Sequence, residues 1–69
     1  MKDFYYVNKQ AQSSGEHEVH VLGCSRFPSE ENRLFLGIFE SSKDALKKAN
    51  QYFYNVDGCY HCCPEIHTK

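Results

Sequence analysis

The sequence predicts a small α+β domain, a three-stranded antiparallel meander with one C-terminal helix packed on it (βββα), followed by a tail rich in cysteine and histidine. Three apolar segments separated by turn-forming residues predict the strands, and one amphipathic segment predicts the helix. A chain of 69 residues is too short for two domains, so we expect a single domain over residues 1–69, with 58–69 as the tail. A core of this size is marginal, and a bound metal or a disulfide would support it.

The first two predicted strands precede and follow a polar loop. Residues 4–9 are aromatic and β-branched, which favours a strand either inside the sheet or at its edge. Residues 10–15 are small and polar and end in glycine, as hairpin loops commonly do. In residues 17–22 the side chains of Val19 and Val21 alternate with polar ones, which predicts a half-buried strand.

The third predicted strand follows a longer loop. Residues 23–32 contain Pro28 and several polar side chains, and we expect a surface loop that Phe27 anchors. Arg33–Phe39 is apolar on both faces around Gly37, which predicts a central strand that a bulky element covers on at least one side.

The covering element is predicted as a helix over residues 42 to about 56. Ser41 and Ser42 offer an N-cap hydroxyl, and Asp44 supplies a carboxylate at the position that a capping box uses. Gly58 is expected to end the helix in the left-handed conformation. The apolar stripe has helical spacing and is widened by two further side chains; it consists of Ala45, Ala49, Tyr52 and Val56 with Leu46 and Phe53.

Composition excludes several classes of function. The net charge is −1 with both signs scattered along the chain, so the electrostatic attraction that drives nucleic-acid binding is weak. The longest apolar run, residues 34–39, is far short of the roughly 20 residues that a membrane span needs. The N-terminus has no leader-like apolar segment, so we expect a cytoplasmic protein, where cysteines favour thiol or metal-ligand roles over disulfides.

The tail concentrates candidate metal ligands. Cys59 and Cys62 form a C-x-x-C pair, whose two thiolates can bend round one tetrahedral ion. Cys24 is the expected ligand from a second segment of the chain, and either Cys63 or His67 completes the predicted zinc site.

His17 and His20 are further candidates, but their spacing is unfavourable. They are three residues apart, which on a strand places their rings on opposite faces, and this excludes the helical two-histidine motif of metalloproteases. His20 and Cys24 share a face, yet four residues of strand separate them by about 13 Å unless the chain bends at Gly23. A histidine that is solvated or hydrogen-bonded is the simpler interpretation of each.

Other interpretations of the cysteines stay open. Free cysteine packs well as a small apolar side chain, and four cysteines also allow three disulfide pairings. The leading hypothesis is a non-enzymatic module that binds structural zinc. The alternative is a module for protein interaction or self-association with packed thiols, and the third is a thiol-redox protein. The sequence indicates no catalytic residue, and the C-x-x-C follows the helix, whose C-terminal dipole disfavours a thiolate.

Several segments resemble known proteins. Residues 17–20, Gly23-Cys24, residues 32–37 and the Gly58-to-Cys62 segment with His67-Thr68 look like a family of short, uncharacterised bacterial proteins that contain cysteine and histidine. That family has a cysteine before the final histidine, where this chain has Ile66. We expect that Cys63 could supply the missing thiol. The strands followed by residues 39–45 also resemble YegP-like ββα-type domains, and this second likeness implies only an architecture.

Overall fold

A computed structural model describes residues 2–68, and these residues fold into a four-stranded mixed sheet with one helix. The strands are β1 (Asp3–Asn8), β2 (His17–Val21), β3 (Arg33–Phe39) and β4 (Val56–Gly58), and the helix is α1 (Ser42–Ala49). Single-turn 3₁₀ helices lie at Glu30–Asn32 and Pro64–Ile66. The α+β class and the first three strands are confirmed, whereas the fourth strand was not predicted.

The predicted meander is wrong. The strand order is β3-β1-β2-β4, so β1 lies between β2 and β3 and pairs with both in the antiparallel direction. β2 and β3 are therefore not neighbours, and the long loop between them crosses from one side of β1 to the other. β3 is an edge strand, not the predicted central strand, and two of its apolar side chains, Phe35 and Ile38, are half exposed.

A shift of register between β1 and β3 controls which side chains face the helix. Tyr5 pairs with Gly37 and Tyr6 pairs with Phe35, so Leu36 is an extra residue in β3. Gly37 takes a φ of +139°, which an L side chain rarely adopts. The bulge lets Leu36 enter the core while Phe35 stays on the outer face.

The helix is shorter than predicted, because the end of the predicted segment becomes part of the sheet. Ser41 is the N-cap, and its hydroxyl accepts a hydrogen bond from the backbone N–H of Asp44, as expected. The helix ends at Ala49. Val56–Gly58 pairs with β2 in the parallel direction, so Gly58 belongs to a strand and does not cap the helix.

The core lies between α1 and one face of the sheet. Buried side chains from three strands meet two alanines of the helix, whose small size allows a close approach; these residues are Tyr5, Val7, Val19, Leu36, Ala45 and Ala49. Three residues of the predicted helical stripe, Tyr52, Phe53 and Val56, lie outside the helix. Tyr52 is 50 % exposed, and Phe53 instead stacks on His17 with ring centroids 3.9 Å apart.

The tail folds back onto the sheet and the helix. Ile66 is buried against Gly58, and the buried hydroxyl of Ser42 donates to the Glu65 carboxylate. Both the N–H and the hydroxyl of Thr68 donate to the buried carboxylate of Asp57, at 2.9 and 3.0 Å. These contacts hold the segment after Cys62 in one position. None of the helices formed by residues 2–68 has the length and apolar character needed to cross a lipid bilayer.

Candidate metal centre

Two adjacent parallel strands supply the first two site residues. His20 lies near the C-terminal end of β2, and Cys59 directly follows β4. The pairing of β2 with β4 continues past Gly58, because the N–H of Cys59 donates to the carbonyl oxygen of Val19 at 3.0 Å. Glu18 pairs with Asp57, so the positions two residues further along, His20 and Cys59, project from the same face of the sheet.

A tight turn after β2 brings Cys24 back to His20. Gly23 has a φ of +94°, and the N–H of Cys24 donates to the carbonyl oxygen of Val21 at 3.1 Å. The chain therefore reverses at Leu22 and Gly23 instead of continuing as a strand. The separation of about 13 Å expected for an extended chain does not apply, and the bend at Gly23 on which joint ligation depends is present.

The C-x-x-C segment wraps its second sulfur back toward β2. The N–H of Cys63 donates to the carbonyl oxygen of Cys59 at 2.8 Å, which closes one turn of backbone. The N–H of Val21 donates to Cys62 Sγ at 3.3 Å. Cys59 and Cys62 thus project toward the same point from the two ends of this turn.

The potential ligand atoms of four residues converge. One atom each from His20, Cys24, Cys59 and Cys62 lies within 4.8 Å of every other member of this group, which we call the Cys/His cluster. The Sγ atoms of Cys24 and Cys59 are 3.8 Å apart, and Cys62 Sγ is 3.9 Å from His20 Nδ1. Two sulfurs bound to one tetrahedral zinc at about 2.3 Å each are separated by roughly 3.8 Å.

The other two predicted ligands lie outside the Cys/His cluster. Cys63 is fully buried among apolar core residues, and its Sγ is 3.9 Å from Cys62 Sγ. His67 Nδ1 lies 2.9 Å from the carbonyl oxygen of Gly58 and 3.3 Å from the Asp57 carboxylate. His17, the remaining histidine considered on β2, forms a contact of 2.9 Å between its Nδ1 and the carbonyl oxygen of Asn8.

The two ring nitrogens of His20 have different partners. Nδ1 faces Cys62, and Nε2 lies 3.5 Å from the Glu18 carboxylate. The side chain is almost fully buried, and this burial lowers the pKa of His20 to about 4, so the ring is neutral at pH 7. A proton on Nε2, facing Glu18, leaves the lone pair of Nδ1 directed at the thiols.

The electrostatics of the thiols disfavour redox chemistry. Burial raises the pKa of Cys59 to about 12, and it raises that of Cys24 as well. The pKa of Cys62 is also raised, first by its hydrogen bond with Cys63 and then by burial. A redox-active C-x-x-C requires a lowered thiol pKa, whereas a divalent cation stabilises thiolates where no fixed positive charge does so.

His20 belongs to the Cys/His cluster, although its spacing from Cys24 along an extended strand disfavours it as a ligand. The signal that favours it is Gly23, which stands directly before Cys24 and supplies the left-handed conformation that the turn requires. The sequence pattern also does not indicate the fourth strand, and it is β4 that places Cys59 beside β2. Comparisons with protein-family models, with curated proteins and with solved structures found no match to this chain.

Proposed function

We propose that this protein binds one zinc ion through Nδ1 of His20 and the sulfurs of Cys24, Cys59 and Cys62. The observation that carries the proposal is the convergence of four ligand atoms from two separated segments of the chain, residues 20–24 and 59–62, within 4.8 Å of one another. Three thiols and one imidazole form a set common among structural zinc sites, in which all four positions belong to the protein. The role that follows is structural: the ion fastens the tail and the turn after β2 to the sheet.

The surroundings of His20 support the proposal. Histidine ligands commonly donate their second ring N–H to a carboxylate, which fixes the tautomer and the ring orientation. Glu18 is placed for that role at 3.5 Å from Nε2, and its own side chain is only 19 % exposed. Burial raises the pKa of Glu18, and the positive charge of a bound zinc ion would favour its ionised form.

The remaining candidate ligands have other roles in this proposal. Cys63 packs in the core, where its sulfur behaves as a small apolar group. His67 joins the tail to β4 through Gly58 and Asp57. The proposal therefore predicts that zinc binding depends on Cys62 but not on Cys63, and on His20 but not on His67.

The test uses two matched pairs of variants. Zinc content is measured on the purified chain by native mass spectrometry, before and after treatment with a chelator. We expect one zinc per chain in the unmodified protein, in Cys63→Ala and in His67→Asn. We expect Cys62→Ala and His20→Asn to bind zinc at least tenfold more weakly, because each loses one of four ligands.

Cobalt(II) substitution provides a second readout. Bound cobalt gives thiolate-to-metal charge-transfer absorption, and its intensity should fall in Cys62→Ala but not in Cys63→Ala. A folded protein that takes up no zinc contradicts the proposal. Loss of zinc from Cys63→Ala with retention in Cys62→Ala contradicts the ligand assignment.

A further inference from the structure

The face of the sheet opposite α1 carries a row of aromatic side chains. Phe4, Tyr6 and Phe35 alternate with core residues along β1 and β3 and therefore point away from the helix. Ring centroids are 6.0 Å apart for Phe4 and Phe35, 5.1 Å for Phe35 and Tyr6, and 5.0 Å for Tyr6 and Phe27. Ile38 pairs with Phe4 across the strands. We call these five residues the outer patch.

The outer patch exposes a substantial apolar area. Phe4 is 45 % exposed, Phe35 48 % and Ile38 50 %. At roughly 100 Å² of exposed surface each, these three side chains present about 300 Å², a size at which apolar patches on monomers are often functional. Phe4, Phe35 and Ile38 lie on the face of the sheet away from α1, beside the part of that face where the Phe27 ring packs on Tyr6 and His20 is buried.

We propose that the outer patch binds a second copy of this chain, with the two sheets packed face to face and the two β3 strands antiparallel about a twofold axis. Charge complementarity supports this occupant. Arg33 begins β3 and Glu40 directly follows its end, so the antiparallel arrangement brings Arg33 of each copy toward Glu40 of the other. The apolar centre with opposite charges at its two ends is thus complementary to itself.

The available area is that of a weak association. The three most exposed side chains of both copies bury about 600 Å², and Tyr6, Phe27 and the charged ends Arg33 and Glu40 raise the total to roughly 1,000 Å². That total lies at the low end for specific interfaces, in the range of weak and transient complexes. We therefore expect a dimer that dissociates on dilution, with a Kd in the micromolar range.

The outer patch is less suited to single-stranded nucleic acid. Such proteins combine stacking aromatics with a positively charged groove. Here Arg33 is the cation placed over patch rings, 4.9 Å from the ring centroid of Phe27 and 5.9 Å from that of Tyr6, and the chain as a whole has a net charge of −1.

Sedimentation equilibrium of the full chain tests the proposal, over about 10 μM to about 1 mM. We expect a reversible monomer–dimer equilibrium. Phe35→Lys should raise the Kd at least tenfold, because it places a charge at the centre of the interface. Glu40→Lys should raise it about threefold, with the difference disappearing at high salt.

The matched control is Tyr54→Lys. Tyr54 is a fully exposed aromatic outside the outer patch, so this variant should dimerise like the unmodified chain. Circular dichroism establishes that each variant is folded, and Phe35 is sufficiently exposed for the lysine to be accommodated. A chain that stays monomeric to about 1 mM overturns the proposal, as does a dimer that Phe35→Lys leaves unchanged or a patch that binds only nucleic acid or another protein.

Discussion

Replacement of Gly58 by alanine should destabilise the protein severely, because the tail lies directly against the backbone of β4. A Cβ atom at position 58 would lie 2.7 Å from the carbonyl oxygen of Cys63 and closer still to Cγ1 of Ile66. Contacts below about 3 Å force displacement of one partner. A side chain can rotate away, but the carbonyl belongs to backbone that the Cys59–Cys63 hydrogen bond holds in place.

The expected cost is about 2 to 3 kcal/mol in the free energy of unfolding. Overpacking of a tight core typically costs about 1 to 3 kcal/mol, and a collision with backbone belongs at the upper end. Alanine also reduces the entropy of the unfolded chain, which offsets less than about 1 kcal/mol. The variant should bind zinc more weakly too, because displacement of the tail moves Cys59 and Cys62.

A double-mutant cycle isolates the contact with Ile66. Ile66→Ala removes the nearest atoms, so Gly58→Ala should cost at least about 1 kcal/mol less in that background than in the unmodified chain. Urea denaturation of metal-free protein, in sucrose to keep every variant folded at the start, supplies the free energies.

The control is Gly15→Ala, where an added Cβ would meet only Asn55 Nδ2 at an ordinary 3.6 Å and where the φ of +103° is the source of the cost. Its effect should be additive with that of Ile66→Ala. A cost of Gly58→Ala below about 1 kcal/mol would refute the reasoning, and additivity between Gly58→Ala and Ile66→Ala would assign the whole cost to the Cys63 carbonyl.

Three further predictions concern the cap and the surroundings of the metal centre. Ser41→Ala removes the N-cap acceptor and should lower the free energy of unfolding, measured by thermal unfolding, by about 1 kcal/mol. Its zinc content should be unchanged, because no residue of the Cys/His cluster belongs to α1. Glu18→Ala should weaken zinc binding about 10- to 100-fold in competition with a chromophoric chelator, whereas Glu30→Ala, on an exposed turn, should not. In metal-free protein the pKa of His20 is about 6.5 in the unfolded chain and about 4 in the folded chain. Between these values the unfolded chain binds the proton more strongly, so the free energy of unfolding should fall by about 3 kcal/mol as the pH is lowered from above 6.5 to 4. Urea titrations across this range should show a smaller loss for His20→Asn, and an equal loss would contradict this assignment.

The sequence predicts local structure well where periodicity or capping decides it. Arg33–Phe39 is a strand with the predicted bounds, and Ser41 caps the helix as expected. The apolar residues of β3 predict a covered strand, but this prediction of burial is wrong for Phe35 and Ile38, which are half exposed. Strand order depends on contacts between distant segments, which local patterns do not encode.

The end of the helix shows how tertiary contacts override a helical pattern. Val56 has helical spacing from Ala49, yet it pairs with His17 in the parallel direction. The intervening segment contains Phe53, whose ring gains a stacked contact on His17, and the sheet gains a fourth strand. A three-residue strand is too short for periodicity to distinguish from the end of a helix.

The sequence predicts the types of ligand in the candidate metal centre but not every residue of the Cys/His cluster. Clustering of cysteines indicates Cys59 and Cys62, and the need for a second segment indicates Cys24. The distance between His20 and Cys24 along an extended strand disfavours His20. One glycine with positive φ changes that distance, so residue spacing alone does not decide which atoms meet.

The loop between β2 and β3 connects the two surfaces for which functions are proposed. It carries Cys24 at the Cys/His cluster and Phe27 in the outer patch, and the Phe27 ring lies edge-on to the buried ring of His20 at 6.5 Å. The core does not depend on this loop, since buried contacts between α1 and the sheet lie on the opposite face. The proposed zinc ion would therefore add most to the order of this loop and of the tail, and loss of order at Cys24 would extend over three residues to Phe27. Association through the outer patch should accordingly be stronger in the zinc-bound chain than in the metal-free chain, because zinc fixes one end of the patch before the second copy binds.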